Sequence, residues 1–124
     1  MKQSKNSYYG VIVPMVTPLT EDGKIDETSA VRLINFLLDN NTIPFVLGTT
    51  GEATSIPNTE RDVLTQLLIK NRRDGYPAIS GVMGLTFGET IRKANKYFKD
   101  GIDAVVITLP AYYKLTELQV FNVR

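Results

Sequence analysis

Pro44-Phe45-Val46-Leu47-Gly48-Thr49-Thr50-Gly51-Glu52 is the stretch on which the fold turns: a short apolar run that gives way at once to glycines and hydroxyls, just ahead of a helix start. An apolar run of this length, closed by turn residues, predicts a buried strand over residues 45–47. Small residues at the carboxyl end of a strand suit an anion site. Glycines let the backbone approach a ligand, threonine hydroxyls donate or accept, and amides near a following helix favour a carboxylate or phosphate. The same residues also suit any strand-to-helix connection, so the loop takes its meaning from the rest of the chain.

Upstream, Val11-Ile12-Val13-Pro14-Met15-Val16 reads as a buried strand ending at Thr17-Pro18, with Pro14 implying an edge, a bulge or an irregularity because it cannot donate to a ladder. Asp26 or a neighbour caps a helix that puts Ala30, Leu33, Ile34, Leu37 and Leu38 on one face and ends near Asn40-Asn41. Downstream, Asn58 is placed to cap a helix carrying Val63, Leu64, Leu67 and Leu68. A third strand follows over residues 78–82. The Thr86-x-x-Glu89 spacing fits a capping box for a helix that runs to Gly101 and buries Ile91, Ala94 and Phe98. A fourth strand, residues 104–108, leads to Leu109-Pro110-Ala111-Tyr112-Tyr113, and another helix begins at Thr116.

Strands alternating with helices at this spacing describe a parallel βα series, not hairpins. Asn-Asn-Thr-Ile-Pro, Arg-Asp-Gly-Tyr-Pro and Lys-Asp-Gly-Ile-Asp recur after successive helices, as expected if each helix returns to the same end of the sheet. The strands' carboxyl ends then share one face, and Thr17, Thr49, Thr50, Gly81 and the Tyr112-Tyr113 pair converge on it. Ligands bind at that end in open α/β sheets and barrels alike.

Composition bounds the chemistry. With 124 residues, 43% hydrophobic, 22% charged and a formal net charge of +1, the chain reads as one soluble unit, a single partial domain with a polar tail over residues 1–9. Basic and acidic residues are balanced and form no long runs, so neither nucleic acid nor an anionic membrane is an expected partner. The polar amino terminus has no signal-peptide core, and a cytoplasmic location is the expectation. The sequence contains no cysteine and no histidine, which excludes disulfides, a thiolate nucleophile, a Ser-His-Asp triad and an ordinary zinc site. A nucleotide-binding flavodoxin-like domain falls behind because no acidic ribose partner or P-loop lysine stands at suitable spacing.

Val16-Thr17-Pro18, Gly48-Thr49-Thr50-Gly51-Glu52 and Pro110-Ala111-Tyr112-Tyr113, in this order on successive strand ends, resemble the amino-terminal half of the dihydrodipicolinate synthase and N-acetylneuraminate lyase family, from about Gly10 to Arg124. The threonine pair is closer to the synthases than to the sialic acid lyases, which usually carry serine first. The resemblance implies half of a TIM (β/α)8 barrel. It implies a lysine that forms a Schiff base with pyruvate or a related 2-keto acid, then aldol addition or cleavage, with no metal or organic cofactor. It assigns Thr49 and Thr50 to the keto acid carboxylate, with Gly48 and Thr17 beside them. Tyr112 becomes the proton-relay tyrosine, with Thr49 passing protons toward it and Tyr113 as the alternative; in the family this tyrosine often reaches a neighbouring subunit, so a homo-oligomer is expected. Without the family, Tyr112 and Tyr113 read as loop aromatics packed at an interface, Thr17 as a strand end, Glu52 as a brace and Lys114 as a solvated charge.

The nucleophile departs from the family pattern. It sits on the family's sixth strand, whereas Lys2, Lys5, Lys24, Lys70, Lys93, Lys96, Lys99 and Lys114 all fall in the tail, loops or helical faces. A Schiff-base lysine needs a desolvated site or a neighbouring cation to lower its pKa, and none of these positions promises one. The expectation is therefore an aldolase whose lysine lies outside residues 1–124, or a catalytically silent half-barrel that binds or assembles. Its outer strands would expose edges that call for a partner.

Overall fold

Val11–Pro14 (β1), Thr42–Val46 (β2), Ile79–Val82 (β3) and Ala104–Ile107 (β4) pair in parallel in the order β1-β2-β3-β4. The helices Glu27–Asp39 (α1), Asn58–Lys70 (α2) and Phe87–Asp100 (α3) connect them. The structure is a computed structural model that describes residues 8–108 and 116–118. Tyr112, Tyr113, Lys114 and most of the helix expected from Thr116 lie outside the described residues.

Parity along the strands sorts the sheet into two faces. The Phe45↔Ile79, Ile79↔Ala104 and Gly81↔Val106 pairs put Phe45, Ile79, Gly81, Ala104 and Val106 on one face. Val46, Ser80, Val82 and Val105 point the other way, toward a core shared with Ala30, Ile34 and Leu38 of α1 and Leu64, Leu67 and Leu68 of α2. The sheet is curved. Tyr8, just before β1, donates its phenol to the carbonyl of Asp103, just before β4, at 3.2 Å. In a flat sheet those outer strands would stand about 14 Å apart, beyond a tyrosine's reach.

The helix ends follow local chemistry. Asp26 caps α1 by accepting from the Ser29 amide, and Thr86 and Glu89 complete the capping box of α3. Gly101 closes α3 with φ at 122°, a conformation that favours glycine.

Several expectations are corrected. β2 begins at Thr42 rather than Phe45, with Pro44 inside it. The Met15 amide donates to the Phe45 carbonyl, so Phe45 faces β1 and the missing donor of Pro44 faces the β3 side, ahead of the first β2–β3 pair at Phe45. Pro14 ends an edge strand, where its missing donor is tolerated. Asn58 is the first helical residue of α2 and not its cap; Pro57 precedes it, and the Asn58 side chain accepts from Lys93 instead. The buried face of α3 is Ala94 and Tyr97, while Ile91 and Phe98 are 39% and 47% exposed. Tyr97 donates to Asp62 of α2 at 3.0 Å, which rolls α3 toward α2 and turns Ile91 and Phe98 away.

Candidate functional site

The chain leaves β2 at Leu47, a buried residue with φ at 62°, in the left-handed region. That turn swings the Leu47 carbonyl toward β3, where only a glycine can receive it. A Cβ at Gly81 would stand 1.9 Å from the Leu47 oxygen and 2.7 Å from its carbonyl carbon. Gly48 follows against the Phe45 ring, where a Cβ would come within 2.8 Å of a ring carbon. Glu52 also lies in the left-handed region and starts a short 3-10 turn, Ala53–Ser55, ahead of α2.

Two backbone bonds fold the loop on itself, from the Glu52 amide to the Thr49 carbonyl at 3.0 Å and from the Ala53 amide to the Gly48 carbonyl at 3.3 Å. Thr17, at the end of the first strand segment, donates its hydroxyl to the Gly51 carbonyl at 2.6 Å. Among the described residues, the amides of Thr49, Thr50 and Gly51 donate to no protein acceptor. Folded groups of this kind usually have a partner, so these three donors are available to a ligand or to water.

A cleft of about 100 Å³ opens over this loop at the strands' carboxyl ends. Phe45, Leu47, Gly48 and Thr49 form one wall, Ala53 and Thr54 another, and Gly81, Val82, Met83, Val106 and Thr108 the third. Its described lining carries no charge and three hydroxyls, those of Thr49, Thr54 and Thr108. An acid bound here would be held by neutral donors, which orient it without a countercharge.

The structure thus brings Gly48 and Thr49 into the cleft with Gly81. Thr50 is exposed beside the cleft and does not line it, and Thr17 meets it only through the loop it braces. Tyr112 lies outside the described residues. Sequence reasoning passed over Phe45, Thr54, Val106 and Thr108. Thr108 carried the same signal as Thr49, a hydroxyl where a strand ends; Phe45 and Val106 are strand residues whose facing depends on register.

None of the described lysines lies in a strand. Lys93 pairs with Asp62, Lys96 pairs with Asp100, and Lys24, Lys70 and Lys99 are exposed on a turn or on helices. No group of three or more acidic residues able to hold a metal ion occurs among the described residues, and no described helix is long and apolar enough to cross a membrane.

Comparison with known proteins gives one answer by three routes. The profile of the dihydrodipicolinate synthetase family matches residues 7–121. The 4-hydroxy-tetrahydrodipicolinate synthase of Alkalilimnicola ehrlichii is 31% identical over 111 residues, 89% of this chain and 38% of the relative. That of Coxiella burnetii is 32% identical over 116 residues, 93% of this chain and 40% of the relative. Among solved structures, the pyruvate complex of YagE, an E. coli K12 prophage protein of the dihydrodipicolinic acid synthase family, matches with a TM-score of 0.84 and 27% identity, over 94% of this chain and 39% of that one. The 2-keto 3-deoxygluconate aldolase of Picrophilus torridus matches at 0.85 and 28% identity, over 94% and 42%. The chain therefore spans 38 to 40% of these curated relatives.

Proposed function

Because this chain belongs to the dihydrodipicolinate synthetase family and forms the amino-terminal half of its (β/α)8 barrel, we propose that the whole protein is a Schiff-base aldolase or lyase acting on pyruvate-type 2-keto acids. In this reading the loop of Gly48, Thr49 and Thr50 holds the keto acid carboxylate, Thr17 keeps that loop in place, and the lysine that attacks the carbonyl lies outside residues 1–124. The observation that carries it is the neutral cleft in which the Thr49 hydroxyl stands beside the unpaired amides of residues 49–51. Two related solved proteins are complexed with pyruvate.

Mechanistically, an acid held by hydroxyls and amides presents its adjacent carbonyl in one orientation, which lowers the entropic part of the barrier to attack. Thr49 then passes protons toward Tyr112, or Tyr113 in its place, while the imine forms and water leaves. No metal or organic cofactor is invoked. A cytoplasmic setting and a homo-oligomer belong to the same proposal, the latter supported by the exposure of Leu85 and Phe87 at the start of α3.

The position of every described lysine on a turn or helix supports a second reading for the 124-residue chain taken alone: it binds the keto acid and does not react with it. Borohydride reduction in the presence of pyruvate, followed by mass spectrometry, separates the two. The expected result is no covalent adduct on this chain and an adduct on a lysine downstream in the whole protein. An adduct on any lysine of residues 1–124 would overturn the placement of the nucleophile, and failure of the whole protein to form one would overturn the aldolase reading.

A further inference from the structure

Aspartate followed by glycine is a chemically labile pair, because glycine has no side chain to shield its amide from the preceding carboxyl. The chain contains three such pairs, Asp22-Gly23, Asp74-Gly75 and Asp100-Gly101. All three glycines have positive φ, at 82°, 85° and 122°, so backbone conformation does not set one apart. Their hydrogen bonds do.

The Gly23 amide donates to the Thr20 carbonyl at 3.0 Å, and the Thr20 hydroxyl donates to the Asp22 carboxylate. The Gly101 amide is shared between the Tyr97 and Phe98 carbonyls at 3.1 and 3.2 Å, while the Asp100 carboxylate accepts from Lys96 and Gln66, each at 3.0 Å. These partners hold both carboxyls below their ordinary value of 3.8, the Thr20 hydroxyl for Asp22 and the Lys96 ammonium for Asp100. Each is kept in its ionised form, the poorer electrophile.

Asp74-Gly75 differs on both counts. It stands in the exposed connection between α2 and β3, in a turn closed by the Tyr76 amide donating to the Arg73 carbonyl at 3.1 Å, with Gly75 at the third position. Among the described residues, the Asp74 carboxylate and the Gly75 amide have no hydrogen-bond or ion-pair partner. Nothing lies within 4 Å of where a Cβ of Gly75 would stand. Nucleophile and electrophile are therefore adjacent, unengaged and open to water. The residues on either side are anchored, Arg73 to Asp39 at 2.6 Å and Tyr76 to Asn41 at 2.9 Å.

We propose that Asp74-Gly75 is a site of spontaneous covalent modification in the folded protein, where aspartate converts to isoaspartate faster than at the other two pairs. The Gly75 nitrogen bonds to Cγ of Asp74, and the amide hydrogen leaves with the carboxyl hydroxyl as water, closing a succinimide. Water then opens the ring at either carbonyl, which returns aspartate or gives isoaspartate with the side-chain methylene now in the main chain. No other reactant is consumed. The added main-chain atom falls between the Arg73 and Tyr76 anchors, ahead of β3 and at the end of the sheet opposite residues 48–51, so this proposal stands apart from the aldolase reading.

Ageing the full chain in water enriched in heavy oxygen tests this, because each passage through the ring leaves one labelled oxygen in the residue. Peptide mapping by mass spectrometry reads the label, and electron-transfer fragmentation reads the isoaspartyl linkage. Label at Asp74 should exceed that at Asp22 about fivefold, the effect of freeing an amide from one hydrogen bond of ordinary strength, and should exceed that at Asp100 by more. In urea, where the fold is gone, the three rates should converge. Asp74→Glu, whose longer side chain closes the ring poorly, should lose most of the methyl groups that a protein isoaspartyl methyltransferase adds to the aged chain, whereas Asp22→Glu should keep them. Circular dichroism reports the fold of each variant. Absence of label at Asp74 in the folded chain, faster labelling at Asp22 or Asp100, a ranking that persists unchanged in urea, or equal loss of methylation in Asp22→Glu overturns the proposal.

Discussion

Replacing Gly81 with alanine tests the geometry on which the proposed carboxylate loop depends. The added Cβ would stand 1.9 Å from the Leu47 oxygen and 2.7 Å from the carbonyl carbon, where ordinary contact begins at 3.4 Å. Roughly 1.5 Å of relief is needed, and the atoms in the way are backbone, not the tip of a flexible side chain. Leu47 has little freedom to yield: its φ of 62° is already strained, and the next residue, Gly48, is against the Phe45 ring. Gly81 is itself fixed in the ladder opposite Val106. The cost should be at the upper end of overpacking, about 2–4 kcal/mol. In urea unfolding followed by circular dichroism, this lowers the midpoint by about 1–2 M at an ordinary denaturant slope. Gly23→Ala is the internal comparison: its φ is 82° but nothing lies within 4 Å of the new Cβ. That change carries only the left-handed backbone penalty, about 1–2 kcal/mol. Pyruvate binding should weaken in Gly81→Ala and be retained in Gly23→Ala. A Gly81→Ala protein within about 0.5 kcal/mol of the parent, or more stable than Gly23→Ala, would refute the reasoning.

Thr17→Val removes the hydroxyl that donates to the Gly51 carbonyl and should destabilise by about 1 kcal/mol, with weaker pyruvate binding read by titration; unchanged binding would mean that the loop needs no brace. Asp26 is held below its ordinary value of 3.8 by the Ser29 hydroxyl and then the Ser29 amide, so its contribution is complete above that value and is lost as pH falls through the lower, folded one. Urea midpoints measured from pH 6 downward should fall more steeply for the parent than for Asp26→Asn, and parallel curves would contradict the assignment. Burial, and then the Asp62 carboxylate, push the Tyr97 phenol well above 10, so its contribution is complete below pH 10 and is lost as pH rises toward the folded value. Tyrosinate absorbance should show Tyr97 ionising only with alkaline unfolding, whereas Tyr97→Phe should lose no signal from the native-state titration; a missing native-state step in that variant would refute the shift.

The order of elements was legible because each depends on near neighbours in sequence: the capping box at Thr86 and Glu89, the stripe of Ala30, Ile34 and Leu38, and the glycine after α3 all announce themselves within a few residues. What escaped depends on partners far along the chain. Pro44 enters β2 because the register with β1 and β3 leaves its missing donor unopposed. Tyr97 displaces Phe98 from the buried face because Asp62, 35 residues away, offers its phenol an acceptor. At the site, Gly48 and Thr49 could be read from their motif. The need for glycine at position 81 could not, because it arises from a carbonyl that Leu47 turns across the gap between two strands.

The cleft's construction divides the work of the proposed reaction. A cation beside the carboxylate would bind substrate and transition state alike, whereas neutral hydroxyls and amides orient the acid and leave the stabilisation of charge to groups nearer the carbonyl. Val106, 38% exposed, lines the cleft on the concave face, and Ile107 beside it on β4 is 54% exposed. Among the described residues, an apolar edge and the end of the cleft's third wall therefore coincide at β4. In the proposed reading, a strand that pairs with β4 adds ladder hydrogen bonds and extends the wall of the cleft together, so closing the barrel and tightening the proposed keto acid site are one event. It follows that the 124-residue chain should bind pyruvate more weakly than the whole protein even where every loop contact is intact, and that adding the complementary part of the barrel should raise affinity without altering residues 48–51.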